Sequence, residues 1–221
     1  RRLTVFFAVV SLLQVTFLVL IVTAVSLVLM AVLKLPMLIA LTIVVGFTFA
    51  YIFFGGASVH VWSNSVQAIT MVVVAVLLVA SGAEFFADGV GGFFERLAAV
   101  GPYYADVTNP DSLLFRDLFE VLVANFIIGI AIIMQPHIMS KALYLRSERD
   151  VNRYLVTAMV AGTIFTSVLL VGLFARLTLG GDIAPDHVVA TYIATDFAPG
   201  LRALIMLGVL AAGFSTLEGV I

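Results

Sequence analysis

Six long apolar stretches occupy most of this chain and constrain its fold more than any other feature. A helix that crosses a bilayer needs about 20 apolar residues, because it rises ~1.5 Å per residue through a ~30 Å hydrocarbon core. The stretches cover residues 4–33, 36–54, 61–82, 118–140, 153–178 and 200–221. Of the 221 residues, 63% are hydrophobic, which is too apolar for a water-soluble domain. We therefore predict an all-α, polytopic bundle of transmembrane helices.

Composition also excludes several functional classes. A net charge of -2 argues against a nucleic-acid partner. Without cysteine the chain has no disulfide and no thiolate metal site. No Ser-His-Asp arrangement, phosphate loop or nucleotide motif is present, so we do not expect an enzyme. The chain does not begin with Met and ends inside an apolar run, so we expect one transmembrane transporter domain, 1–221, truncated at both ends.

The connections between the stretches predict the orientation in the membrane. Lys34-Leu35-Pro36 separates the first two stretches, and Gly55-Gly56 separates the second from the third. Basic residues cluster in the connection around 141–153, which predicts that this loop is cytoplasmic and in contact with membrane lipid. Alternation then places the acidic connections 83–117 and 179–199 outside.

The first acidic connection contains its own apolar pattern. Phe93, Phe94 and Leu97 are spaced as on one face of a short helix. We predict an amphipathic helix lying on the membrane surface, with a plain surface loop as the alternative.

Two adjacent hydroxyls near the end of the sixth stretch indicate a site. Polar groups are costly inside a membrane and are usually functional there. Ser215 and Thr216 offer two oxygens, and the carbonyl of Ala212, one turn earlier, can point into the same space. Neutral oxygens suit a hard cation, so these three residues are candidate ion ligands. The alternative is that the hydroxyls bond back to carbonyls of their own helix.

Four motifs in a fixed order resemble those of the sodium/solute symporter family, whose members carry sugars, proline, pantothenate or monocarboxylates with sodium. They are Tyr51 with Gly55-Gly56, Trp62-Ser63-Asn64 and Gln67; Gln135-Pro136-His137; Gly172-Leu173-Phe174-Ala175-Arg176-Leu177; and Ala211-Ala212-Gly213-Phe214-Ser215-Thr216-Leu217. The resemblance implies an inverted-repeat fold of the leucine-transporter type, of which this chain holds core helices three to eight. It also implies a sodium ion at Ala212, Ser215 and Thr216, with the site completed by the unwound first core helix, which is missing from the chain.

Two residues depart from the family pattern near this site. Many members carry Asp on or near the ion exit path, where this chain has the neutral Asn64. Glu218 follows Ser215 by three residues and shares roughly the same helix face. We predict that Asn64 and Glu218 line the ion path and that Glu218 supplies the acid that Asn64 lacks. The alternative is that Glu218 simply reaches cytoplasmic water.

The solute site is less clearly marked. Asn125, Gly129, Ile132 and Gln135 in the fourth stretch are the candidate solute-binding residues. Proline-like carriers have aromatic residues where this chain has Ile128 and Ile132, so proline is a doubtful substrate.

We therefore expect sodium-coupled symport of a small organic solute across the plasma membrane. The alternatives are a proton-coupled carrier, or a symporter-like sensor module of a signalling protein.

Overall fold

The computed structural model describes residue 5 and residues 14–112, 114–133 and 144–220. Side chains are described throughout these ranges except at 14, 51–52, 55–62, 132–133 and 219–220. Every regular element in these ranges is helical, and none of the described residues forms a strand. The predicted all-α polytopic bundle is therefore confirmed.

Eight α-helices, a 3-10 turn and a π-helical segment make up the described part of the chain. In order they are α1 (Gln14–Leu33), α2 (Met37–Ala80), the 3-10 turn Ala83–Phe86, α3 (Gly89–Val100), the π-helix Phe119–Ala124 leading into α4 (Asn125–Ile133), α5 (Glu148–Ser167), α6 (Leu170–Leu179), α7 (Val188–Asp196) and α8 (Pro199–Val220).

Four stretches within the described helices are long and apolar enough to cross a membrane. They are Val15–Leu33, Ser63–Ala80, Glu148–Leu179 and Pro199–Glu218, and the shorter apolar helices Met37–Ala50 and Phe119–Ala131 accompany them. Each of these six overlaps one predicted stretch, so the chain is a multi-pass membrane protein. Residues 134–143, which include the end of the fourth predicted stretch, lie outside the described ranges.

The chain divides into two compact units. One combines the described residues up to Leu77 with those from Ala184 onward, and the other is Leu78–Ile183. In the first unit, α8 packs against α1, and α7 packs against both. One buried cluster in this unit is apolar and consists of Val25, Leu29, Ala40, Val44 and Leu217.

The connection from α1 to α2 forms where the sequence predicts it. α1 ends at Leu33, and Lys34 has φ 54°, the left-handed conformation that commonly stops a helix. Pro36 follows, and its carbonyl accepts a hydrogen bond from the amide of Ala40 in the first turn of α2.

Helix α2 is continuous from Met37 to Ala80, but it is not straight. Phe47 packs on Phe214 of α8 with ring centroids 4.7 Å apart. Val74 packs on Gly208 of α8, where a Cβ on that glycine would lie 2.6 Å from Val74 Cγ2. Positions 47 and 74 would lie ~40 Å apart along a straight helix, whereas their partners on α8 are only ~9 Å apart. α2 therefore changes direction between Phe47 and Val74.

The helix is not interrupted at Gly55-Gly56, where the sequence predicts a turn between two spans. The change in direction of α2 agrees with a turn in this region, but the backbone stays helical throughout. No proline occurs between Pro36 and Pro102, so no backbone amide in α2 lacks its proton. Glycines permit a turn there without forcing the helix to end.

The second unit is centred on a cluster of phenylalanines. Phe93 on α3 and Phe174 on α6 are each 1% exposed, and both rings lie against Phe86. Gly82 touches this cluster, because a Cβ there would lie 2.2 Å from the ring of Phe174. The predicted helix in the first acidic connection is thus confirmed as α3. However, its apolar residues Phe93 and Leu97 are buried within the protein and are not available to a membrane surface.

Arg176 makes a second set of contacts in this unit. Its side chain is 7% exposed, and Nη1 donates hydrogen bonds to the carbonyls of Gly180, Gly181 and Ile183. The guanidinium also lies 5.5 Å from the ring centroid of Tyr104, within reach of a cation–π interaction. Arg176 thereby fixes the segment that follows α6 against the connection that follows α3.

Candidate ion site on helix α8

The candidate sodium ligands lie in the second half of α8. Ala212, Ser215 and Thr216 are half-buried there, in a helix that forms because its residues after Pro199 are predominantly apolar and include no further proline. Thr216 follows Ala212 by four residues, which brings the two onto one face. The Thr216 hydroxyl donates a hydrogen bond to the Ala212 carbonyl at 2.8 Å.

This hydrogen bond confirms the alternative interpretation for Thr216, that its hydroxyl bonds back to its own helix. The bond engages only the proton of the Thr216 hydroxyl, so the lone pairs of Oγ1 stay available to a cation. The Ala212 carbonyl accepts this bond in addition to the helical bond from the Thr216 amide, so a cation would share an oxygen that already has two donors. Two of the three predicted ligand oxygens are therefore held 2.8 Å apart.

Ser215 has a different partner from the one that back-bonding predicts. Its hydroxyl donates to Oδ1 of Asn64 on α2 at 3.2 Å, across 151 residues of sequence. The predicted ion ligand Ser215 and the predicted ion-path residue Asn64 are thus in direct contact. Asn64 is exposed and Ser215 half-buried, so the contact lies at the surface of this helix pair.

The oxygens of this cluster are all neutral. They comprise two hydroxyls, a backbone carbonyl and a side-chain amide. In proteins, divalent cations such as Ca²⁺ usually take carboxylate ligands, and no group of three His, Cys, Asp or Glu able to hold a metal occurs in the part of the chain that is described. The donor set therefore fits a monovalent hard cation better than a divalent one.

Glu218 is the one acid in the second half of α8, and it is half-buried. It follows Ser215 by about one helical turn, ~4.5 Å along the axis. The Ser215 hydroxyl itself is directed to Asn64.

Close packing of α8 against its neighbours supports this geometry. A Cβ on Gly213 would lie 2.4 Å from Cγ2 of Val25 on α1, so only glycine lets the two helices approach this closely. Val25 is 4% exposed. The sequence indicates close approach at Gly213, but nothing in it identifies Val25 as the residue on the other side.

The candidate solute residues lie in the other unit and are only partly described. Asn125 begins α4, directly after the π-helix, and its Nδ2 donates to the Glu120 carbonyl at 2.8 Å. Gly129 faces open space, since no atom of the described residues lies within 4 Å of a Cβ built there. The side chain of Ile132, and Gln135 altogether, lie outside the described residues.

The π-helix next to Asn125 is a feature that the sequence does not indicate. Such segments are rare and are found frequently at functional sites. The Asn125–Glu120 hydrogen bond spans five residues, which matches the wider spacing of a π-turn. Asn125 is the only cue in the sequence, and a single asparagine among apolar residues occurs equally well in a regular α-helix.

The first unit also contains a cavity of about 390 Å³ that the sequence does not predict. It lies between α1, α2 and α8, and its wall is apolar apart from Ser63 and Gln67. Oε1 of Gln67 is buried and has no hydrogen-bond partner among the described residues.

No curated protein and no solved structure shows significant similarity to this chain. A family model, in contrast, matches it from end to end, and the matched family is the one that the four motifs resemble. Since the match covers residues 1–221, the chain belongs to the sodium:solute symporter family.

Proposed function

We propose that this protein is a sodium-coupled secondary transporter of the plasma membrane that imports a small organic solute. Membership of the symporter family supports sodium coupling and a solute cargo. The membrane-spanning helices support a multi-pass carrier. The family also suggests the inverted-repeat architecture, with this chain as core helices three to eight.

The observation that carries the proposal is the oxygen cluster at Ala212, Ser215, Thr216 and Asn64. Residues predicted as ion ligands and ion path from separate motifs meet at hydrogen-bonding distance. Sodium would take the three oxygens of α8 together with others from outside the cluster, which the family draws from its unwound first core helix.

The contact between Ser215 and Asn64 also supports a mechanism for coupling. Sodium at Ser215 would bind the lone pairs of a hydroxyl whose proton is donated to Asn64, so the ion and the contact between α8 and α2 would share one side chain. A ligand shifts a conformational equilibrium by its difference in affinity for the two states. Sodium thus favours the outward-open state that binds solute, and the solute raises sodium affinity by the same factor.

Thermal unfolding in sodium chloride, compared with choline chloride, tests the ion site without a known solute. Sodium at ~100 times its dissociation constant should stabilise the purified protein by ~2.7 kcal/mol. We expect this stabilisation to disappear in Ser215→Ala/Thr216→Val, because both hydroxyl ligands are lost. Thr195→Val is the matched control, since its hydroxyl also bonds back to a carbonyl four residues earlier, that of Thr191 at 2.9 Å, but away from the cluster.

Three results would have different meanings. If the sodium-dependent stabilisation is lost in the double variant and kept in Thr195→Val, the result supports the site. If both variants lose it equally, the loss is a general effect of removing helix hydroxyls. Absence of a sodium-specific shift in the unmodified protein would contradict sodium coupling.

Proton coupling through Glu218 is the second candidate, favoured by a half-buried acid on α8 about one turn from Ser215, the residue that contacts the neutral Asn64. A carrier that moves protons through Glu218 needs its carboxyl group, and Glu218→Gln removes that group with little change in size. We expect Glu218→Gln to abolish solute uptake driven by a pH gradient. Uptake of this kind that is unchanged in Glu218→Gln would exclude the role.

A further inference from the structure

We propose that the cavity between α1, α2 and α8 binds a small neutral molecule with an apolar body and one hydrogen-bond donor, such as an alcohol or phenol. The cavity volume of about 390 Å³ falls within the range of small-molecule sites. It contains none of the candidate solute residues, and the proposal does not depend on sodium transport.

The apolar body follows from the cavity wall. Leu29, Val44, Phe47, Leu210 and Phe214 supply most of its surface. A water molecule in a protein needs two to four polar partners, and such a wall offers too few to fill this volume with water. A hydrocarbon or aromatic group is therefore the better occupant.

The hydrogen-bond donor follows from Gln67. Its Oε1 is buried without a partner among the described residues, and the residue lines the cavity. A buried acceptor left unsatisfied keeps its full cost of desolvation, so a ligand that donates to Oε1 removes that cost. A ligand of the same size without a donor does not.

The route of entry is the membrane. Phe47 is 52% exposed and Leu207 is 56% exposed, and both line the cavity on helices that cross the bilayer. A molecule dissolved in lipid can therefore enter from the side, whereas an ion or a sugar could not. This restricts the ligand to neutral compounds that partition into membranes.

Two matched probes separate the contributions of the apolar body and the donor. We would measure binding of 4-iodophenol and 4-iodoanisole to the purified protein in nanodiscs by thermal shift, since the two differ only in whether the oxygen carries a proton or a methyl group. We expect 4-iodophenol to bind about tenfold more tightly, corresponding to one satisfied acceptor. In Gln67→Leu this preference should shrink to less than about threefold, because the acceptor is gone and an apolar side chain of similar length remains.

A second pair of variants locates the binding. Ala211→Phe places a ring in the cavity and should abolish the shift with both probes. Ala203→Phe adds the same ring at an exposed position on α8 and should retain both shifts.

The proposal is overturned if neither probe binds the unmodified protein, or if Gln67→Leu keeps the phenol preference. It is also overturned if Ala211→Phe binds the probes as Ala203→Phe does. Should Ala211→Phe fail to fold, the Gln67→Leu comparison decides by itself.

Discussion

The Ser215 hydroxyl donates a hydrogen bond to Oδ1 of Asn64 at 3.2 Å, and this amide oxygen carries only a partial charge. Many symporters of this family place a carboxylate at the corresponding position. A full negative charge ~4 Å from a cation contributes about 1–4 kcal/mol at effective dielectric constants between those of water and a protein surface. At the proposed sodium site, a neutral residue in this position would give weaker binding than a carboxylate.

Asn64→Asp should accordingly raise the apparent sodium affinity, by an amount on the order of tenfold. The measurement is the sodium concentration that gives half of the maximal thermal stabilisation. Ser65→Asp is the control, because it adds the same charge one position further along α2, rotated about 100° around the helix. If both substitutions shift the midpoint equally, general electrostatic attraction explains the result and the Asn64–Ser215 contact does not.

At the scale of elements, glycines set how closely α8 approaches its neighbours. Gly208 and Gly213 each lie against a valine, Val74 on α2 and Val25 on α1 respectively. Glycine is intrinsically unfavourable in a helix by about 0.5–1 kcal/mol relative to alanine. Its presence at two packed positions of α8 indicates that close approach outweighs this cost, as is common between membrane helices.

Gly213→Ala should therefore destabilise the protein, by about 1–3 kcal/mol as for other overpacked sites. The new Cβ would lie 2.4 Å from Val25 Cγ2, and the β-branched valine has little rotamer freedom with which to move away. Gly162→Ala is the control, because no described atom lies within 4 Å of a Cβ at that position on α5. It should be neutral, or stabilising by up to about 1 kcal/mol. Thermal unfolding distinguishes the two.

A compensating substitution gives a sharper test of the same contact. Val25→Ala removes the atoms that the Gly213→Ala methyl meets, so the double variant should lose less stability than the sum of the two single variants. Simple additivity would show that the helices do not meet at this point.

At the scale of the molecule, helix content and spans could be predicted from the sequence, because hydropathy alone determines which segments can cross a membrane. The stop at Lys34 and the polar cluster at Ser215 and Thr216 could be predicted too, since each depends on residue types close together in the chain. Contacts between distant segments could not. Neither the pairing of Ser215 with Asn64 nor the approach of Val25 to Gly213 has a local signal.

The difference between local residue patterns and contacts between distant segments also explains two features that the sequence does not predict. Phe93 and Leu97 give an amphipathic pattern whether the apolar face meets lipid or protein, and only the position of Phe174 shows that it meets protein. The cavity beside Gln67 results from the shape left between three helices, which no sequence pattern encodes. In both cases the local pattern is correct and the partner is set by tertiary packing.

The orientation of the whole molecule is the remaining prediction, and it depends on the excess of basic residues around 141–153. Positively charged loops stay in the cytoplasm, so Arg149 should lie inside and the acidic residues Asp106 and Asp182 outside. All three residues are exposed, and the sequence has no cysteine, so single cysteines can be introduced without background.

A membrane-impermeant maleimide applied to intact cells should label Asp106→Cys and Asp182→Cys, and should label Arg149→Cys only after the membrane is permeabilised. Because 149 is separated from 106 by one predicted span and from 182 by another, the three positions must alternate if both spans cross. Labelling of Arg149→Cys alone in intact cells would reverse the orientation and place Asn64 on the outer side. Labelling of all three in intact cells would mean that neither span crosses the membrane, whereas 106 and 182 on opposite sides would mean that one of the two does not cross.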